Sequence, residues 1–162
     1  MYDKTKINIV YWGRVDFINK GLDRVVNVIK YGETEFLKRK IVFHFSGPSY
    51  NDGFHLLNDY INKNNVQHLC KTYNDIDLEQ FDFGGLVNAN AAIFLTRWEG
   101  FPRVVRECIH NKIPILVSRE SHFGDFRSDP SIYAVSDGDD TKQSYELLLK
   151  ILSNNSELNV EI

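Results

Sequence analysis

The sequence is poor in cysteine, methionine and proline: its 162 residues include two cysteines, one methionine and four prolines. Two cysteines cannot build a disulfide framework, and neither Cys70 nor Cys108 has the spacing of a zinc ligand. Both lie in apolar segments. We therefore predict two buried thiols in a reducing compartment, and with them a cytoplasmic protein.

Long apolar runs and an excess of positive charge are missing as well. No segment approaches the roughly 20 apolar residues that span a bilayer, and no signal-peptide pattern precedes the first predicted strand. Lysine and arginine number 19 against 22 aspartates and glutamates, which gives a net charge of −3. Proteins that bind nucleic acid usually carry a basic face, so we expect no nucleic-acid partner.

The composition is that of one globular domain. Hydrophobic residues make up 43% of the chain and charged residues 25%. A chain of this length has room for a single core that buries about 70% of the surface of the unfolded chain. We therefore interpret residues 1–162 as a single domain.

Short apolar segments alternate with helical patterns along the chain. The predicted strands are Ile7 to Tyr11, Ile41 to Ser46, Val66 to Cys70, Ala91 to Leu95, Ile113 to Val117 and Ile132 to Val135. The first helical pattern starts at Leu22, and further patterns cover Gly53 to Asn64, Asp77 to Asn88 and Pro102 to Asn111. A last helix, capped by Asp139 or Thr141, reaches about Leu152, and a polar, frayed tail follows from Ser153. Six strands separated by helices predict an α/β fold with a Rossmann-like, doubly wound parallel sheet.

The most informative segment carries two glutamates, Glu99 and Glu107, which stand eight positions apart around the turn Gly100-Phe101-Pro102. Proline suits the first turn of a helix, where its missing N–H would have been unpaired anyway. We therefore predict a loop before Pro102 and a helix after it.

The predicted helix opens with a positive end. The free backbone donors of Arg103, Val104 and Val105 offer a place for a phosphate. At a rise of about 1.5 Å per residue, Glu107 lies roughly 7 Å further along, which matches a ribose beyond a diphosphate. The alternative is an ordinary surface ion pair between Arg103 and Glu107, four positions apart, which contributes little to stability.

A second group of candidate site residues follows the first strand. Gly13-Arg14 comes directly after it, and Lys20-Gly21 opens the next helical pattern. Two cations at the tip of a strand–loop–helix unit can stabilise the negative charge of a bound anion. They can equally be solvated loop charges. Gly47, at the end of the second strand, either lets a ligand approach the backbone or simply makes the turn.

Together these segments resemble the retaining GT-B glycosyltransferases, in particular glycosyltransferase family 4. The two glutamates around Gly-Phe-Pro are similar to the family's glutamate-x7-glutamate motif, and Gly-Arg followed by Lys-Gly is similar to its diphosphate-binding residues. The segment Lys112-Ile113-Pro114-Ile115-Leu116-Val117-Ser118 resembles the strand that follows the motif, with Lys112 in place of the usual glycine. The resemblance extends from about Ile7 to Leu152.

The resemblance implies a role for each residue. Glu107 would hold the ribose hydroxyls, Arg14 and Lys20 the diphosphate, and Glu99 the donor sugar, so that Glu99, Arg14 and Lys20 form the catalytic set. Further donor-binding contacts would come from Gly13, Gly47, Gly100, Phe101, Pro102, Arg103, Val104 and Val105. The implied reaction transfers a sugar with retention from a UDP- or GDP-linked donor, with no metal ion and no other cofactor.

The resemblance covers the C-terminal, donor-binding half of a GT-B enzyme. The acceptor-binding half would precede Met1, so we expect the isolated chain to be inactive in transfer. The full-length protein would then be cytoplasmic, with a peripheral association with the inner face of the membrane left open. The alternatives are a non-catalytic nucleotide-sugar-binding module or subunit of a split glycosyltransferase and, more remotely, a flavodoxin-like or receiver-like domain.

Two further signals have competing interpretations. Asp137-Gly138-Asp139 copies the Asp-x-Asp motif of metal-dependent GT-A transferases, but its place before the last helix favours a turn and a helix cap. Arg97 and Trp98 flank Glu99. Either residue would line the sugar pocket, or Trp98 would cover the edge of the core.

Overall fold

The computed structural model describes residues 3–74, 88–98, 103–121 and 128–158. Within these ranges the chain forms six strands, five α-helices and two short 3-10 turns, at Gln67–Leu69 and Arg119–Ser121. In chain order the strands and helices are β1 Ile7–Trp12, α1 Leu22–Tyr31, α2 Glu33–Lys38, β2 Ile41–Gly47, α3 Gly53–Lys63, β3 Cys70–Asn74, β4 Ala91–Phe94, α4 Arg103–His110, β5 Ile115–Ser118, β6 Ile132–Val135 and α5 Thr141–Leu158.

The six strands form one parallel sheet in the order β3-β2-β1-β4-β5-β6. The order reverses between β1 and β4, which pair with Ile9 opposite Ala91. Right-handed crossovers that leave the centre in opposite directions place their helices on opposite faces, so α1 and α4 cover different sides of the sheet. The predicted α/β, doubly wound fold is confirmed, and its switch point lies at the carboxyl ends of β1 and β4.

The core lies between the sheet and its helices. Every residue of β2, β4 and β5 is buried, as expected for parallel strands covered on both faces. Aromatic rings fill the space near the switch point, where the rings of Tyr11 and Phe94 have centroids 4.8 Å apart. Within the described residues, no helix has both the length and the apolar character to cross a membrane.

The predicted third strand is wrong in its position. Val66 and Leu69 are buried, but a 3-10 turn joins them, with the Leu69 amide bonded to the Val66 carbonyl at 3.0 Å. Apolar residues three positions apart share one side of such a turn. The strand begins only at Cys70, which pairs with Phe43 of β2 and is half-buried rather than fully buried.

The end of the chain also departs from its prediction. Helix α5 continues to Leu158 instead of fraying from Ser153. Polar residues dock its last turns, because Asn154 donates to the Tyr133 hydroxyl at 3.0 Å and Asn155 donates to the Asn90 carbonyl at 2.8 Å. These contacts join residues that are distant in the sequence, so the pattern of neighbouring residues could not predict that the helix continues.

The cap of α5 is a third correction. The Asp140 carboxylate accepts from the Gln143 amide at 3.0 Å, so Asp140 caps the helix in place of the predicted Asp139 or Thr141.

Helix α2 was absent from the prediction; it inserts Phe36 against Phe43 with ring centroids 5.1 Å apart. The predicted helix from Asp77 lies outside the described residues, apart from its last residue.

Candidate functional site

The candidate site lies at the carboxyl end of β1, which has β2 on one side and β4 on the other. Gly13 follows β1, and its amide donates to the Ser46 carbonyl at 3.1 Å. Gly47 ends β2 with a φ of +135°, and a Cβ there would stand 1.8 Å from the Gly13 carbonyl oxygen. Close approach of the two backbones therefore accounts for a glycine at position 47, while its contact with a ligand stays a prediction.

Arg14 follows Gly13 and is held by two tyrosines, Tyr11 and Tyr50. The Tyr11 hydroxyl donates to the Arg14 carbonyl at 2.6 Å, and the guanidinium carbon lies 4.4 Å from the centre of the Tyr50 ring. Guanidinium groups are attracted to the faces of aromatic rings. Tyr50 is in turn tied to the loop, because its amide donates to the Val15 carbonyl at 3.1 Å. The Tyr50 ring therefore supports the exposed Arg14 guanidinium.

Lys20 lies at the other end of the same loop, directly before α1. Its amide donates to the Asp16 carbonyl at 2.9 Å, and its side chain is half-buried. Gly21 follows in a left-handed conformation with φ +63°, and a Cβ on it would stand 1.8 Å from the Leu95 carbonyl oxygen. The backbone that carries Lys20 thus contacts the end of β4, from which the chain leads to Glu99.

Glu107, in the second turn of α4, faces the end of β1. The indole N–H of Trp12 donates to its Oε2 at 2.9 Å. The predicted ion pair is present but loose, with 3.6 Å between Nε of Arg103 and Oε1 of Glu107 and an Arg103 side chain that is 76% exposed. The Glu107 side chain is 27% exposed. Glu107 is therefore more than a surface partner of Arg103, because a buried residue of another element orients it.

The first turn of α4 lies over Gly13. The closest Val104 carbon stands 4.0 Å from where a Cβ on Gly13 would be, and Val105 is buried in the core. Arg103 is the first described residue of the helix. The structure therefore brings Gly13, Val104 and Glu107 together. Their contact with a donor stays a prediction. Glu99, Gly100, Phe101 and Pro102 lie outside the described residues, and their roles stay predictions.

The segment that leads to Glu99 is anchored by Arg97. Its guanidinium makes two hydrogen bonds of 2.7 Å to the Asp23 carboxylate and one of 2.6 Å to the Ile18 carbonyl. Its amide donates to the Asn19 carbonyl at 2.9 Å. The hydrogen bonds that Arg97 donates to the Asp23 carboxylate raise the pKa of Arg97, so the side chain stays charged. Arg97 is a structural clamp between this segment and the loop that carries Lys20.

A buried arginine supports the same segment from α1. Arg24 is 6% exposed and donates to the carbonyls of Leu95 and Thr96, at 3.1 and 3.3 Å. Its charge is paired with Asp139 at 2.9 Å and with Glu120 at 3.3 Å. The hydrogen bond from Arg24 holds the pKa of Asp139 below its usual value. Asp139 is thus part of an ion pair with the buried Arg24.

Other candidate groups belong to the core or to the surface. Among the residues that the structure describes, no three histidine, cysteine or acidic side chains are grouped as metal ligands. His44 is buried between Asn8 and Tyr73, at 2.9 and 3.0 Å, and burial lowers its pKa to about 4. Cys108 is a buried thiol, as predicted. Trp98 is 62% exposed and does not cover the core; a contact with the sugar stays a prediction.

Sequence reasoning missed the residues that hold the site rather than those that would bind a ligand. Trp12, Tyr50, Asp23 and Arg24 each contact a residue of another segment. No local signal in the sequence indicated Arg24, because it lies on the opposite side of α1 from the apolar stripe that includes Leu22 and Val26. Its burial comes from the tertiary structure.

No protein-family model matches the chain, and no curated protein sequence matches it. Solved structures do. The lipopolysaccharide outer core galactosyltransferase WaaB matches with a TM-score of 0.74 at 16% identity, over 92% of this chain and 41% of its own. The sucrose-phosphate synthase of Thermosynechococcus elongatus matches with a TM-score of 0.78 at 17% identity, over 96% of this chain and 38% of its own. The fold is that of a GT-B glycosyltransferase domain.

A third structure shows the same fold. TarM of S. aureus, in a complex that includes UDP, matches with a TM-score of 0.79 at 14% identity, over 94% of this chain and 29% of its own. Identities this low establish the fold and leave the chemistry to the site itself. The chain spans about two fifths or less of the length of these structures.

Proposed function

We propose that this chain is the nucleotide-sugar-binding domain of a retaining, metal-independent glycosyltransferase that uses a UDP- or GDP-linked sugar. One observation carries the proposal: the Glu107 carboxylate is held against Trp12, beside Gly13-Arg14, at the switch point of the sheet. Doubly wound sheets bind nucleotides outside the carboxyl ends of their strands at that point, with an acidic side chain on the ribose. Glu107 is the acidic side chain that we assign to that contact.

The cations at the same edge fit a diphosphate. Arg14 projects from the loop after β1 and Lys20 ends that loop, so the two flank the segment that joins β1 to α1. Charged donors of this kind form strong hydrogen bonds to phosphate oxygens. In the proposed reaction they stabilise the departing nucleoside diphosphate, the role that a metal has in other transferases, and Glu99 contacts the donor sugar.

One of the similar structures supports this choice of ligand by analogy. TarM was solved in a complex that includes UDP. It is more than twice as long as the part that this chain matches. We propose that a further N-terminal domain binds the acceptor, and that the working enzyme is cytoplasmic.

Isothermal titration calorimetry tests donor binding. The protein is titrated with UDP, GDP, a UDP-sugar and a GDP-sugar, in EDTA and then in Mg²⁺, with ATP and NAD as controls for other Rossmann-like sites. We expect saturable binding of one nucleoside diphosphate and its sugar that Mg²⁺ does not strengthen. Absence of binding to all four contradicts the proposal, and a strict requirement for Mg²⁺ contradicts its metal-independent part.

A transfer assay separates the enzyme from a binding module. Holding only one of two reactants forfeits a positioning effect of roughly 7–11 kcal/mol, so the isolated chain should bind donor without transferring the sugar. Adding the acceptor-binding domain should restore transfer that Glu99→Gln abolishes. Efficient transfer by the 162 residues alone would contradict the domain assignment. Donor binding that never supports transfer with any acceptor domain would favour a non-catalytic module.

A further inference from the structure

The contact between Trp12 and Glu107 joins residues 95 positions apart. Trp12 is the last residue of β1 and is 6% exposed, and its ring stands edge-on to Phe94, at 87° and 5.8 Å between centroids. The packing fixes the direction of the indole N–H. The 2.9 Å hydrogen bond therefore fixes one oxygen of the Glu107 carboxylate.

The two carboxylate oxygens have different surroundings. Oε2 accepts from the indole, which can only donate. Oε1 lies 3.6 Å from Nε of Arg103, which is longer than a good hydrogen bond. Because Arg103 is 76% exposed, its side chain can move away at little cost. Oε1 is therefore the oxygen that a ligand hydroxyl can reach without breaking a buried contact.

We propose that Trp12 is a positioning residue for ribose recognition: its indole N–H holds the Glu107 carboxylate in the orientation that accepts the ribose hydroxyls of the donor nucleotide. The inference rests on the proposed function, because only a nucleotide brings a ribose to Glu107. A flexible glutamate loses rotamer freedom when it binds, and a side chain that is already held loses less. If Trp12 only filled space beside Phe94, its N–H would have no influence on ribose binding.

Trp12→Phe tests the inference, because phenylalanine keeps an aromatic ring against Phe94 and removes the donor. The probes are UDP and GDP, each compared with its 2′,3′-dideoxy form in calorimetry. We expect Trp12→Phe to weaken whichever ribonucleotide binds about five- to tenfold, and to change the affinity of the dideoxy form less than twofold. The matched control is Tyr133→Phe on β6, which also removes a hydrogen bond of an aromatic side chain, the 3.0 Å bond that the Tyr133 hydroxyl accepts from Asn154. This control should leave both affinities unchanged.

A double-mutant cycle with Glu107→Gln completes the test. If the indole acts through the carboxylate, Trp12→Phe should weaken ribonucleotide binding less than twofold in the Glu107→Gln background. Equal weakening of the ribose and dideoxy forms overturns the inference, and so does a full five- to tenfold loss in the Glu107→Gln background. If the unaltered protein binds neither UDP nor GDP, the proposed function itself fails and the inference fails with it.

A measurement without ligand checks the hydrogen bond directly. The chain has two tryptophans, so the ¹⁵N-labelled protein gives two indole N–H signals. Glu107→Gln should move the signal of Trp12 and leave that of the exposed Trp98 in place. An unmoved Trp12 signal overturns the inference whatever the binding data show.

Discussion

The substitution Arg24→Met removes a charge that the fold buries and surrounds with acceptors. Arg24 is 6% exposed, pairs with Asp139 and Glu120, and donates to the carbonyls of Leu95 and Thr96. The methionine side chain keeps much of the apolar stem, so the lost packing is small. The change therefore isolates the polar contacts of one buried guanidinium.

The expected loss follows from what each partner retains. The Leu95 carbonyl loses its bond from Arg24, whereas the Thr96 carbonyl still accepts from Ser118 at 2.6 Å. A buried group without a partner costs about 1–3 kcal/mol. The side chains of Asp139 and Glu120 are 66% and 37% exposed, so water replaces much of the contact that each of them loses. We therefore expect the free energy of unfolding to fall by about 2 kcal/mol, less than the roughly 3–5 kcal/mol of stranding a fully buried charge.

Urea denaturation followed by circular dichroism measures this difference, and Arg39→Met is the matched control. Arg39 also donates through Nε to a carboxylate, that of Glu35, at 2.7 Å, but it is 37% exposed on a surface helix. Exposed pairs contribute about 0–1 kcal/mol, so the control should lose no more than about 0.5 kcal/mol. A loss below about 0.5 kcal/mol for Arg24→Met, or equal losses in both variants, would refute the reasoning.

Three further outcomes are expected. Glu107→Ala should weaken UDP or GDP more than about tenfold in calorimetry, because a charged hydrogen bond contributes about 1.5–3 kcal/mol, and unchanged affinity would make it a plain surface residue. Arg14→Ala and Lys20→Ala should each weaken the diphosphate far more than the free nucleoside, a difference that equal losses would contradict. Burial holds the pKa of His44 near 4, against about 6.5 in the unfolded chain. The unfolded state therefore binds more protons between these values, and stability should fall by about 1.5 kcal/mol from pH 6.5 to 5 in urea titrations, an effect that His44→Gln should abolish.

The parts of the fold that local patterns determine could be predicted from the sequence. The strand Ile132–Val135 has the predicted bounds, and β1 and β2 each extend one residue beyond their prediction. Alternation of short apolar runs with helical periods is a local property, so it indicated the parallel sheet. The same holds for Gly13 and Glu107, whose places at the ends of a strand and within a helix follow from their own segments.

What could not be predicted depends on contacts between distant segments. The donor to Glu107 is Trp12, 95 positions away, and nothing near Glu107 indicates it. Asp139 was assigned to a cap by its place before a helix, yet it pairs with Arg24, 115 positions earlier. The neighbouring Asp140, with the same side chain, took the cap. Sequence spacing alone cannot tell which of two adjacent aspartates caps a helix, because packing against the rest of the fold decides it.

The Arg97 clamp joins residues 95–98, at the end of β4, to residues 18–23, which include the end of the loop after β1. The Arg97 guanidinium donates to the Ile18 carbonyl and the Asp23 carboxylate, and its amide donates to the Asn19 carbonyl. The Thr96 carbonyl, directly before Arg97, accepts from Arg24. Movement of residues 95–98 is therefore coupled to the end of the loop with Lys20. In the proposed function, Lys20 would thus keep its distance from the segment that leads to Glu99 when a donor binds.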